Sequence, residues 1–174
     1  SELAAVLGQE HVVGGLGRII SSVVGPGHIR HTGAEPSVSF GELGSSPSER
    51  TQRLLQAFLR ASVLAEIPAD IRVAMWNKLL FIAPFSGIGA VTRAPIGVWL
   101  SLDDTRDMAM EVMKEVLAVA QARDIALTDD AVEAAMAYLD ALPPDSTASM
   151  QRDIAEGRPS ELEVQNGAAV RLGS

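Results

Sequence analysis

The chain has 174 residues, enough for one domain or one small domain plus part of another; its hydrophobic content of 47% supports a core that aliphatic side chains must fill, since aromatics are only 4%. A formal net charge of -8 and the lack of any Lys/Arg run exclude a nucleic-acid partner, because phosphate binding needs a basic stripe. The absence of Cys excludes disulfides, thiolate zinc sites and a Cys nucleophile, and fits a reducing, cytoplasmic setting.

The opening SELAAVLGQE is acidic and short of apolar residues, so no signal peptide is expected. Residues 1–46 then carry Gly/Val/Ile runs, HVVGGLGRIISSVV, GHIRHTG and SVSFGEL, separated by turn residues such as Gly25-Pro26-Gly27. These runs predict about three strands at the edge of a larger sheet. His28 and His31 fall in such a run, where residues three apart face opposite sides, so no metal site is expected.

From residue 47 onward helical signals follow one another. Ser46, Pro47 and Glu49 predict a capping box ahead of Leu54, Leu55, Phe58 and Leu59. VLAEIP reads as a short extended link. ADIRVAMWNKLLFIAPF predicts a second helix, bent or ended at Pro84. The longest apolar stretch, LLFIAPFSGIGAV, is interrupted by Pro84, Gly87 and Gly89 and is too short to span a bilayer, so no membrane partner is expected. GIGAVTRAPIGVWL is a small-residue segment suited to close packing. Its GIGAV lacks a third glycine and a preceding strand, and is not a dinucleotide loop.

SLDDTRDMAMEVMKEVLAVAQARDI predicts a helix capped by Ser101, with Met108, Val112, Val116 and Val119 on one face. TDDAVEAAMAYLDAL predicts another, capped by Thr128 and stopped by Pro143-Pro144. DSTASMQRDIAEG predicts a short helix ended by Gly157, and Ser160 with Glu163 a capping box for a last helix over ELEVQNGAAVRL.

Several polar residues stand out. Lys78 beside Trp76 enters an apolar helix; on spacing alone it reads as a lysine whose stem lies on apolar surface and whose head reaches water. Glu161 reads equally as a charge at a helix N-terminus or as a functional group. Ser149 and Asp153 share a helix face and read as a local polar patch.

The pieces DIRVAMWNKL and SMQRDIAEGRPSELE, in this order, resemble the C-terminal half of ketopantoate reductases (2-dehydropantoate 2-reductases), and the resemblance covers nearly the whole chain. It implies a mainly α fold: the helical C-terminal substrate domain of a 6-phosphogluconate-dehydrogenase-like two-domain reductase, truncated at its C-terminus. Residues 1–46 would be a small β remnant of the Rossmann domain and 47–174 the helical substrate and dimerisation domain. It implies NADP(H) as cofactor, although the glycine-rich motif is absent from this sequence. Lys78 would be the catalytic general acid and oxyanion stabiliser. Ser149, with Ser146 and Ser86, would bind substrate; Glu161 would contact the cofactor ribose or the substrate; Asp153 and Arg158 would support the corner; no metal is implied.

Ile82, Ser86, Ile96 and Ser146 stand where the family often has Asn, which implies a less polar pocket. A bulkier or more apolar 2-keto acid than ketopantoate then becomes a plausible substrate. The partner is a small 2-keto acid, with a homodimer or a missing N-terminal domain covering exposed apolar surface. Two alternatives remain open: another two-domain hydroxy-acid or opine-type dehydrogenase, and a non-catalytic helical dimerisation module. Convergence of Lys78 and Glu161 on one cleft would separate them.

Overall fold

In the computed structural model, residues 2–44 and 46–174 are described. By packing, the chain divides into two compact units, Ser1–Met75 and Trp76–Ser174, with the division inside one helix. The units part later than residue 46 because α2, β3 and the first turn of α3 pack with the strands.

The first unit starts with α1 (Glu2–Leu7) and a short 3-10 turn at Gln9–His11, then a long antiparallel hairpin of β1 (Val13–Gly25) and β2 (His28–Glu42). GHIRHTG and SVSFGEL, expected as separate strands, form the single strand β2. The pairing shifts register between Arg18 and Ile20, opposite Gly33, which adopts a positive φ of 83°. That irregularity absorbs the turn residues without ending the strand. The third strand is β3 (Leu64–Glu66), expected only as an extended link, which pairs parallel with β2.

Only the base of the hairpin is buried. Gly14 pairs with Gly41, and together they leave a notch for Ile71: a Cβ on Gly14 would lie 3.0 Å from it. Phe40 stacks against Phe58 of α2 (Glu49–Arg60) at 5.6 Å between ring centres. Ser48 caps α2 in a capping box with Thr51, two residues beyond the expected Ser46 cap. The shift follows from Glu42, whose carboxylate accepts from the Ser48 hydroxyl and from Arg50 and so fixes Ser48 as the entry point. Of the Leu54, Leu55, Phe58 and Leu59 stripe, Leu54 and Leu59 are exposed.

The second unit is built around α3 (Ile71–Thr92), whose start is capped by Asp70 through the Arg72 N–H at 2.8 Å. The helix neither ends at Pro84 nor stops at the glycines; it continues to Thr92. Proline removes one ladder hydrogen bond, and burial all round sustains the helix: Leu80, Ala83, Phe85, Ser86 and Ile88 are buried. By length and composition alone α3 could cross a membrane; in this unit α6, α7 and α8 lay side chains against it.

α4 (Ile96–Trp99) follows, then α5 (Asp103–Ala122) and α6 (Ala131–Asp140). Ser101 does not cap α5; its hydroxyl donates to the Val98 carbonyl, and Leu102 holds the cap position. The buried face of α5 is Ala109, Met113, Val116, Leu117 and Ala120, offset from the expected stripe, and Met108 is exposed. Thr128 likewise donates to Asp130 rather than capping the first turn of α6. Tyr138 of α6 meets Phe81 of α3 at 4.5 Å between ring centres.

α7 (Ser149–Ala155) ends before Gly157, which has a φ of 67° as expected for a helix stop. α8 (Asn166–Gly173) begins later than Ser160, because residues 161–165 form a turn in which the Glu161 carbonyl accepts from Val164 and Gln165.

Candidate functional site

Lys78 lies in the first half of α3 and is half-buried. Ile82 follows one turn later on nearly the same side. Gly89, 11 residues after Lys78, is about three turns on and shares that side too, whereas Gly87, about two and a half turns on, faces away.

Two amides use these glycines. Gln151 of α7 lies on Gly89, where a Cβ would sit 2.5 Å from its Oε1, and its Nε2 donates to the Ala94 carbonyl at 3.0 Å. Asn166 of α8 lies on Gly87, where a Cβ would sit 2.8 Å from its Nδ2, and that nitrogen donates to the Ala83 carbonyl at 3.0 Å. The expectation that GIGAV packs closely is thus realised, and its glycines are filled by protein. α7 therefore stands on the Lys78 side of α3 and the start of α8 on the other.

The strand of chain leading into α7 runs along the exit of α3. Pro144 accepts from the Gly97 N–H at 2.9 Å, and the Ser146 carbonyl accepts from the Ile96 N–H at 3.0 Å. Ser146 is half-buried there, and Ser149 is exposed in the first turn of α7. Ser86 is only 1% exposed and Ile96 only 1%, so both sit in the core of the unit. Ile96 therefore fills the core and does not widen a pocket.

Asp153 and Arg158 are brought together. The guanidinium donates twice to Asp153 Oδ1, at 2.9 and 2.7 Å, and also pairs with Glu156. With the Arg158 N–H on the Asp153 carbonyl at 2.8 Å, they close the corner after α7. Glu161 is exposed, and its Oε2 accepts from Gln165 Nε2 at 2.6 Å. Of the seven candidates the corner pair is joined, the serines lie towards the exit of α3, and Lys78 lies towards its entry. A groove of about 470 Å³ between α5 and α6, lined by Met110, Lys114, Leu117, Asp129, Val132, Glu133 and Met136, includes none of them.

Gln151 and Asn166 carried no functional reading in the sequence. The usable signal was the spacing Gly87-x-Gly89 in an apolar helix, which asks for close-approaching partners.

The family described as ketopantoate reductase PanE/ApbA C terminal matches residues 70–174, which include α3 and everything after it. The chain belongs to this family. A 2-dehydropantoate 2-reductase of Nostoc sp. is 29% identical over 169 residues, covering 94% of this chain and 52% of its own length. The crystal structure of the 2-dehydropantoate 2-reductase of Geobacter metallireducens superposes with a TM-score of 0.88 at 30% identity, over 98% of this chain and 57% of that one. The Methylococcus capsulatus enzyme gives 0.86 at 31%, over 99% and 55%. The chain thus spans about half the length of the relatives it matches. Its helical part is the C-terminal domain of this family, as the two quoted sequence pieces implied.

Proposed function

We propose that this chain is the substrate-binding half of an NADPH-dependent 2-keto-acid reductase. The observation that carries the reading is the side of α3 bearing Lys78 and Ile82: α7, which brings Ser149, stands against that same side at Gly89. Family membership over residues 70–174 supports the same reaction class.

Reducing a keto group puts negative charge on its oxygen. An ammonium beside that oxygen stabilises the charge and gives up the proton that completes the hydroxyl. Lys78 takes that role. Ser149, with Ser146 as neighbour, holds the substrate carboxylate; Ser86 supports the helix from inside; Glu161, whose turn runs to the other side of α3, is kept for the cofactor ribose; the Asp153–Arg158 pair sets the corner between α7 and Glu161. Ile82 makes the pocket less polar, which favours an aliphatic 2-keto acid, ketopantoate or a bulkier one.

NADP(H) supplies the hydride in this scheme. Gly87 and Gly89 do not fit its pyrophosphate, since Asn166 and Gln151 already occupy them, and the nucleotide site is assigned to a companion half. Exposed Leu54, Leu59, Ile20 and Val23 on the first unit offer apolar surface for that half, or for a second copy in a homodimer.

In a polypeptide carrying both halves, Lys78→Ala is expected to lower kcat about 100-fold or more while NADPH fluorescence titration stays unchanged. An undiminished rate removes Lys78 from the mechanism. Titration of this chain alone with NADPH is expected to show no tight binding, and light scattering to show self-association.

A further inference from the structure

Gln151 is buried to 5% exposure inside a seven-residue helix that cannot hold its own shape or direction. Its Nε2 is satisfied by Ala94, but its Oε1 has no hydrogen-bond partner among the described residues. A buried amide with an unpaired carbonyl costs free energy. A methionine of the same length would fill the space without that cost, so filling space does not explain the amide. What the amide does is directional. One end is fixed to the carbonyl where α3 exits, and the other is pressed on the one kind of residue, glycine, that lets it come so near.

We infer that Gln151 is a positioning residue: with Gly89 it sets the place of α7, and hence of Ser149, along the Lys78 side of α3. The inference rests on the reading of Lys78 and Ser149 given above and names the couple that determines substrate alignment. Displacing the Ser149 hydroxyl weakens its hold on the substrate carboxylate, and among the described residues the hydrogen bond from Gln151 to the Ala94 carbonyl is the longest-range side-chain bond of α7. On the opposite side of α3, Asn166 on Gly87 is built alike but anchors the start of α8, just after the Glu161 turn.

The test uses a polypeptide with both halves and steady-state kinetics on a series of 2-keto acids. Gln151→Met should raise KM for the keto acid about tenfold, the loss of one hydrogen bond to the carboxylate, with a much smaller change in kcat and with the thermal midpoint preserved. Gly89→Ala approaches the same couple from α3 and should give the same KM signature. The double variant Gln151→Ala/Gly89→Ala, in which the new methyl enters the space the amide leaves, should have a KM nearer the parent than Gly89→Ala alone, so that the effects are non-additive. A parental KM in Gln151→Met reduces the residue to packing, and strictly additive effects of Gln151→Ala and Gly89→Ala dissolve the couple; either result overturns the inference. Lys78→Ala separates the two failures. If it leaves kcat intact, the reaction itself is misread. If it abolishes turnover while Gln151→Met keeps the parental KM, only the positioning role falls.

Discussion

The hairpin of the first unit and helix α3 of the second are written in much the same alphabet, Gly, Val, Ile and Ala with few charges, and they meet opposite fates. Towards the hairpin tip Val23 is 77% exposed, whereas Leu80 in α3 is 0% exposed. Apolar composition does not by itself locate a core. The hairpin has a cover only at its base, where Ile71 and Phe58 reach it, while α3 has neighbours along its length. Glycines show the same contrast. At Gly97 a Cβ would lie 2.5 Å from Pro144, while a Cβ at Gly27 would meet nothing within 4 Å.

Substitutions can break or sharpen this comparison. The largest stability effect is expected for Leu80→Ala, about 4 kcal/mol, because a fully buried side chain leaves a cavity in α3's surroundings; chemical denaturation measures it, and a loss below about 1 kcal/mol would mean that the site collapses freely. Gly97→Ala should cost about 2 to 3 kcal/mol, since backbone and ring atoms of Pro144 must give way. A silent substitution there would show that the 143–148 strip is loosely held.

Glu42, at the base of the hairpin, comes next. Its hydrogen bonds from Arg50 and Ser48 hold its carboxyl down to about 2. A depressed carboxylate contributes stability above its ordinary range and loses it as pH falls from there through about 2. Glu42→Gln should therefore melt several degrees lower at neutral pH and show a flatter acid limb in that window, read from thermal midpoints against pH. An acid limb matching the parent's would mean that the pair contributes nothing. Val23→Thr, at the tip, should change stability by no more than about 0.5 kcal/mol, and a larger loss would reveal a cover for the tip.

Much of the helical order could be read in advance because Asp103, Asp104, Gly157 and the Pro143-Pro144 pair act locally. Boundaries were harder. Ser46, Ser101 and Ser160 each looked like a cap, yet serine also serves turns and back-bonds to carbonyls, as Ser101 does with Val98. Pro84 suggested a break, but burial around it outweighs one lost bond. The α5 stripe was misjudged in part because two of its three fully buried members, Ala109 and Ala120, are too small to announce themselves; the third is Met113. Among the candidate residues, Lys78, Ser149 and Glu161 were named through the family's quoted pieces, whereas Gln151 was invisible because a glutamine between Met150 and Arg152 reads as surface. Its burial depends on Gly89, sixty-two positions earlier in the chain.

The sheet order leaves β1 bonded on one side only among the described residues. Past Gly17, residues 18–25 carry one charge and no proline, and with no strand on their outer side among the described residues they make a template for adding strands. Handled alone at high concentration, the polypeptide will tend to zip into ribbons through this edge, and a lysine introduced at Ile19 should keep it dispersed.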